Sequence, residues 1–461
     1  MTQRLPPLSR RQFLRLAALA GLGTLLPAGL ARAQATPPPV LSSACLETPD
    51  RILDLAATAE ALASTFYYRA IQSQFFVRLP PNYQVYVRAA LDQERQHYLF
   101  LTGAGGRPLA TSFYFPPRTF GFDDFTTFVA TIERLETDFL GAYLAAARRY
   151  AEMGQPVLAA IAGQIIGIEA EHRIIGRELK GQTPPPPNNL CFERVTIDCP
   201  EQTLGALSLY LNGGGGYEGP LAMPSDDEMV AAIQGVTATR VPQATAITCE
   251  ESAQSLLDIA ATAEALGITF YYAGIQGAVF TRLSRERQWY LQAALDEERN
   301  HLNFLRAQGA AAPPTDFRFP AAAFDDLPTF LALLDTLENA FIGAYLVAIQ
   351  RLTQLGQPLL AQTAAQILGV EAEHRILGRI IAGATPANDL SLERAAYGCL
   401  SEVVAALMPF LQGNDGFTRP ASLPTVDQVN TAVDRFGCAA VATATYRLYF
   451  PHVAHNPPTH P

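Results

Sequence analysis

Lysine and histidine are both scarce in this chain. Lys180 is the single lysine among 33 basic residues, and no run of basic residues forms anywhere. With a formal net charge of −10, that absence argues against nucleic acid and anionic membrane as partners. Long apolar segments are missing too. Beyond the N-terminal leader no stretch reaches about 18 apolar residues without a charge or a helix breaker, so no spanning helix is expected in the mature chain. The glycine run Gly213–Gly216 lacks what a phosphate loop needs, because no strand precedes it and no Gly-Lys-Ser/Thr follows. Its later counterpart is Gly413-Asn414-Asp415-Gly416, and both read as helix-ending turns. Of seven histidines, His452, His455 and His460 sit in the last ten residues. Only four remain for the folded body.

Those four share one feature: each closes a Glu-x-x-His motif. The pairs are Glu94/His97, Glu169/His172, Glu298/His301 and Glu371/His374. Residues at i and i+3 lie on one helix face, so a carboxylate and an imidazole at this spacing can bind one ion together. A further glutamate precedes each motif within apolar sequence: Glu60, Glu136, Glu264 and Glu338. Two Glu-x-x-His helices and two single-glutamate helices make the two-metal carboxylate site of a four-helix bundle. Four carboxylates balance two divalent cations, which explains why these residue types occur together. Buried without such partners, they would be costly by several kcal/mol or more.

The set occurs twice. The first three ligands shift by 204 residues between copies and the last three by 202, which puts a two-residue deletion in the connection between the second and third helices. A period this long is a tandem domain duplication rather than a solenoid. In the first copy, helices are expected near 51–77, 82–104, 123–152 and 155–180, with Asn82 and Asp123 as N-caps. In the second they are expected near 252–280, 284–308, 325–354 and 357–382. The chain then divides into a leader (1–34), a bundle (45–182), an appendage (190–243), a second bundle (249–383), a second appendage (389–445) and a tail (446–461). Both appendages are expected to be helical.

The N-terminus reads as an address. Ser9-Arg10-Arg11-Gln12-Phe13-Leu14 resembles a twin-arginine export signal, and Ala31-Arg32-Ala33 a cleavage site. Export to the periplasm, the cell envelope or beyond is expected. An exported chain with six cysteines is expected to form disulfides, and fifteen pairings are open. Cys45 matches Cys249 and Cys199 matches Cys399, whereas Cys191 aligns with Ser391 and Cys438 has no counterpart. The simplest scheme joins Cys45 to Cys199, Cys249 to Cys399, and Cys191 to Cys438 across the repeats.

The whole pattern resembles the ferritin-like superfamily, in particular the ferritin-like proteins described as desiccation-related, over nearly all of the mature chain. The resemblance implies an all-α fold of two tandem ferritin-like four-helix bundles. Its ligand roles fall on Glu60, Glu94, His97, Glu136, Glu169 and His172, and on Glu264, Glu298, His301, Glu338, Glu371 and His374. Glu94, Glu169, Glu298 and Glu371 would bridge the metals. The implied cofactor is iron or manganese, two ions per bundle. The implied activity is oxidoreductase chemistry on dioxygen or peroxide, ferroxidase- or peroxidase-like and linked to oxidative or desiccation stress. Non-catalytic metal sequestration or structural protection is the second reading. The second Glu-x-x-His departs from manganese catalases, and tandem fusion disfavours a storage cage. A homo-oligomer is left open.

Other residues share these faces. Tyr67, Tyr143, Tyr271 and Tyr345 each follow a ligand glutamate by seven residues and are candidate hydrogen-bond donors to the site. Glu133 and Asp335 are either an additional carboxylate ligand or surface charges. Glu171 and Glu373 point to a different face and are expected to be solvated.

Overall fold

The computed structural model describes residues 45–121, 125–181 and 187–438. The leader, Asp123 and the histidine tail lie outside these. Four long helices carry the first repeat: α1 (Pro49–Gln72), α2 (Pro81–Gly103), α3 (Phe125–Glu152) and α4 (Pro156–Lys180). Its appendage adds α5 (Thr203–Ala206), α6 (Ser208–Asn212) and α7 (Asp226–Ile233). The second repeat has α8 (Ala253–Gln276), α9 (Arg285–Ala307), α10 (Leu327–Gln354) and α11 (Pro358–Ala382), then α12 (Leu400–Gln412) and α13 (Val426–Val433).

Local chemistry sets most boundaries. Thr48, Ser252, Ser284 and Asp326 cap their helices by accepting a backbone N–H three residues on, an interaction worth about 0.5–2 kcal/mol each. Gly181 and Gly383 end α4 and α11 in the left-handed region, at φ 66° and 76°. Asn82 is not an N-cap. Pro80 holds that place and Pro81 opens α2, because proline's fixed φ is already helical and its missing N–H costs nothing in the first turn. The first helices end at Gln72 and Gln276, earlier than expected. Short 3₁₀ turns at Phe76–Arg78 and Phe280–Arg282 take up the residues that the apolar pattern had extended into the helix.

The appendages are not purely helical. Ser112–Phe115 (β1), in the long connection, pairs antiparallel with Glu218–Ala222 (β2) in the appendage. Asp316–Phe319 (β3) pairs with Arg419–Ser422 (β4) in the same way. Strands of four or five residues show too few alternations to be read from sequence. They tie each appendage to its bundle, where Phe115 and Phe319 lie on the Phe66 and Phe270 clusters. The glycine runs end α6 and α12, as expected, with Gly213 at φ 68° and Gly413 at φ 74°. Helices α7 and α13 carry capping boxes, Ser225/Glu228 and Thr425/Gln428, and their buried apolar faces rest on the bundles. The disulfides Cys45–Cys199, Cys249–Cys399 and Cys191–Cys438 all form.

The two bundles pack across α4 and α11, and a buried charge network lies in that interface. Arg173 bonds Glu193 and Glu373, at 2.5 and 2.6 Å. Its counterpart Arg375 bonds Glu171 at 2.5 Å and lies 3.6 Å from Glu393. Glu171 and Glu373 are therefore fully buried, not solvated. In an isolated bundle their face would meet water; here it meets the other repeat. Close approach needs glycine, because a Cβ at Gly167 or Gly369 would overlap the side chain of Glu393 or Glu193. Helix α10 is long and apolar enough to cross a membrane, but 72% of its most apolar window is buried inside the second bundle. Glu133 pairs with Lys180 and Arg177, and Asp335 with Arg379, so both are surface charges away from the ligand cluster.

Candidate metal centre

In the first bundle the four helices turn Glu60, Glu94, His97, Glu136, Glu169 and His172 to a common centre. Each is at most 1% exposed. His97 Nδ1 lies 3.5 Å from Glu60 Oε2, 3.6 Å from Glu94 Oε2 and 3.7 Å from Glu169 Oε1. His172 Nδ1 lies 2.9 Å from Glu94 Oε1, 3.6 Å from Glu169 Oε2 and 3.9 Å from Glu136 Oε1. Glu94 and Glu169 thus turn one oxygen toward each histidine, while Glu60 and Glu136 each face one. Two overlapping quartets result, Glu60/Glu94/His97/Glu169 and Glu94/Glu136/Glu169/His172.

The second bundle repeats the arrangement. His301 Nδ1 faces Glu264, Glu298 and Glu371 at 3.2, 3.9 and 3.4 Å. His374 Nδ1 faces Glu298, Glu338 and Glu371 at 3.5, 3.8 and 3.4 Å. Donors sharing one ion at about 2.0–2.2 Å stand roughly 3–3.5 Å from one another, so this spacing suits small divalent cations.

The unsatisfied atoms fit a metal pair. Both oxygens of Glu94, Glu169, Glu298 and Glu371 are buried without a hydrogen-bond partner, as are Glu60 Oε2, Glu136 Oε2, Glu338 Oε2 and the Nδ1 atoms of His97, His172 and His374. Buried polar atoms are seldom left unpaired, and here they converge. Each carboxylate that faces a single histidine also accepts a hydrogen bond at Oε1. Tyr143 donates to Glu60, Tyr67 to Glu136, Tyr345 to Glu264 and Tyr271 to Glu338. The four tyrosines that share the ligand face therefore each meet a carboxylate that faces only one histidine. Burial, then the neighbouring carboxylates, push these phenols well up, so they stay protonated as donors.

The histidines' Nε2 atoms tie the two repeats together. His97 Nε2 bonds the backbone carbonyl of Ser391, in the second repeat, at 2.7 Å. His301 Nε2 bonds the carbonyl of Cys191, in the first, at 2.7 Å. His172 Nε2 bonds Gln93 Oε1 at 2.9 Å, and His374 Nε2 bonds Glu297 Oε2 at 2.7 Å. Asn388 donates to Gln93, and Asn188 to Glu297, again across the repeats. With Nε2 held this way, Nδ1 is the atom presented to the cluster.

The glutamate cluster keeps protons in the absence of cations. Burial drives His172 and His301 down, but the carboxylates beside them, Glu94 and Glu264 foremost, reverse this and raise them to about 9 and about 10. Burial, with neighbouring carboxylates, pushes Glu60 and Glu136 well above the ordinary range. Burial acts the same way on Glu371, but His301 and His374, each 3.4 Å away, hold it down to about 2. Burial pushes Glu297 up to about 7 against the pull of His374.

Gln93, Glu297, Asn188 and Asn388, and the carbonyls of Ser391 and Cys191, were not read from the sequence as part of the centre. A signal existed: Asn-Asn-Leu-Cys-Phe-Glu-Arg at 188–194 and Asn-Asp-Leu-Ser-Leu-Glu-Arg at 388–394 match between copies although both lie outside the bundles.

The profile of the ferritin-like domain matches residues 50–182 and again 252–383. That covers more than half of the chain, and the chain belongs to this family. No curated protein matches, and no solved structure does.

Proposed function

From this membership we propose that each bundle holds a pair of iron or manganese ions, and that the protein is an exported oxidoreductase acting on dioxygen or peroxide. The observation that carries the reading is the convergence of unsatisfied carboxylate oxygens and histidine Nδ1 atoms in both bundles. Glu60, Glu94, His97, Glu169, Glu136 and His172 would hold the first pair, and their six counterparts the second. Such a pair supplies redox equivalents and Lewis acidity.

The chain's own groups prepare the site for this. The tyrosine hydrogen bonds fix Glu60, Glu136, Glu264 and Glu338 at Oε1; in Glu60 and Glu264 the other oxygen faces a histidine, whereas in Glu136 and Glu338 the tyrosine-bonded oxygen does. The carbonyls of Ser391 and Cys191 fix two imidazoles. The ligand side chains themselves are buried. A pocket of about 240 Å³ is lined by His97 and Ser391, while the spaces next to Tyr143 and next to Tyr271 and His374 are about 40 and about 10 Å³. A stress-protective role, oxidative or during desiccation, is the setting we favour. Sequestration of metal without turnover is the second reading, favoured by the same burial.

The test is anaerobic loading with ferrous or manganous ion, followed by metal counting. Four ions per chain are expected. His97→Ala with His172→Ala should halve the count. A well-folded protein that takes up one ion or fewer would defeat the proposal. For export, Arg10→Lys with Arg11→Lys should leave precursor inside the cell; normal export of that variant would remove the twin-arginine assignment.

A further inference from the structure

The glutamate and histidine ligands of the two centres correspond one to one, and so do the four tyrosines. The residues around them do not: Gly267 lies against Glu298 where the first bundle has Ala63, and Phe192 packs on His301 where the other copy has Leu392. His97 and His301 both bond backbone carbonyls at 2.7 Å. Asn388 and Asn188 reach across the repeats in the same way, each also bonding a carbonyl of the opposite bundle's second helix. The group behind the last histidine differs as well. His172 meets the amide of Gln93, and His374 meets the carboxyl of Glu297. Both groups are fully buried. Each immediately precedes a ligand glutamate and is held between a histidine and an asparagine.

We propose that Glu297 makes the second bundle the tighter of two inequivalent metal centres. A carboxylate accepting the Nε2–H of a metal-ligating histidine strengthens the donor at Nδ1, more than a neutral amide does. It also adds a fifth negative charge to a centre whose four glutamates already balance two divalent ions. That surplus favours positive charge in the second centre, and so its occupation, over the first. Burial keeps the difference from being screened by water or salt. This inference rests on the reading of both clusters as metal sites, and deepens it by ordering them.

Manganous ion, added anaerobically at about pH 8 to the full mature chain, is the probe, and bound metal is read by equilibrium dialysis. Two phases of equal stoichiometry are expected, separated about 10–100-fold in affinity, the range seen when an outer hydrogen-bond partner of a ligand is changed. Glu297→Gln should weaken the tighter phase and narrow the gap. This variant is a mild perturbation, because the first repeat already carries glutamine at the equivalent place. Gln93→Glu should instead tighten the weaker phase, an effect that mere damage to packing would not produce. Thermal unfolding of the metal-free variants checks that both fold. If four ions bind wild type in one phase and neither substitution moves it, the ordering is wrong while the metal reading stands. If no metal binds, both fall.

Discussion

Arg375→Met would test whether the two repeats fold as one unit. Arg375 is 1% exposed. It bonds Glu171 of the opposite repeat at 2.5 Å and Asp389 at 3.2 Å, with Glu393 at 3.6 Å. Methionine keeps the length of the stem but leaves two fully buried carboxyl groups without their cation. Removing one partner of a buried pair typically costs about 3–5 kcal/mol, most of it the stranded charge. For some 400 residues the unfolding entropy is about 0.8 kcal/mol/K, so a cooperative chain should lose about 4–6 °C in Tm. If the repeats unfolded independently, the same loss acting on one of them would lower its transition about twice as far and leave the other in place. Calorimetry of the metal-free protein separates these outcomes. Adding Glu171→Gln should recover part of the loss, since one stranded charge is removed with its partner already gone. A Tm shift under about 1 °C for Arg375→Met would refute the idea that this arginine neutralises the interface.

Four further outcomes follow from the centres. His172 and His301 sit at about 9 and about 10 without metal, so both are protonated at neutral pH and coordination at Nδ1 must release their protons. Metal affinity should rise with pH up to that range, and calorimetry in buffers of different ionisation enthalpy should detect the release; no proton release near pH 7 would contradict the raised values. Because these folded pKa values exceed the ordinary histidine value of about 6.5, their stabilising contribution to the metal-free protein is complete below that pH and disappears as pH rises through about 9–10. The metal-free Tm should therefore fall over that window. Asn388→Ala, although in the second repeat, should weaken metal at the first centre by freeing Gln93, and dialysis should show the second centre unchanged. Tyr143→Phe strands the Glu60 carboxyl and should cost the metal-free protein about 1–3 kcal/mol, measured by denaturant unfolding.

The ligand cluster was open to sequence reasoning because its signal is local. Glu-x-x-His is a three-residue relation that one helix turns into adjacency, and four occurrences in a chain with so few histidines leave little else to assign. Helix order followed from apolar periodicity and from Pro and Gly at the ends. The cysteine pairing followed from comparing one copy with the other. What escaped was non-local. Strand β1 pairs with a partner more than a hundred residues away, Ser112 with Ala222, and neither is long enough to show its period. Glu171 and Glu373 looked solvated because a single helix offers no sign that its far face will meet another bundle. Glu133 resembled a ligand by spacing, since three residues from Glu136 is the ligand relation itself; only the presence of Lys180 and Arg177 shows which way it turns.

The same interface that hid Glu171 also explains why this fold is duplicated within one chain. Each centre depends on atoms of the other repeat: the Ser391 carbonyl on His97, the Cys191 carbonyl on His301, Asn388 on Gln93 and Asn188 on Glu297. Separate subunits would have to associate before either centre had its histidines fixed. Covalent fusion raises the effective concentration of the partner to about the millimolar range for a short linker, and Cys191–Cys438 then locks the segment that carries one of these carbonyls. Fusion also removes the requirement that the two halves be identical. A homodimer would place the same residue behind both last histidines, whereas this chain carries Gln93 in one and Glu297 in the other. Duplication therefore preserves the mutual support of a dimer while freeing each centre to acquire its own electrostatics.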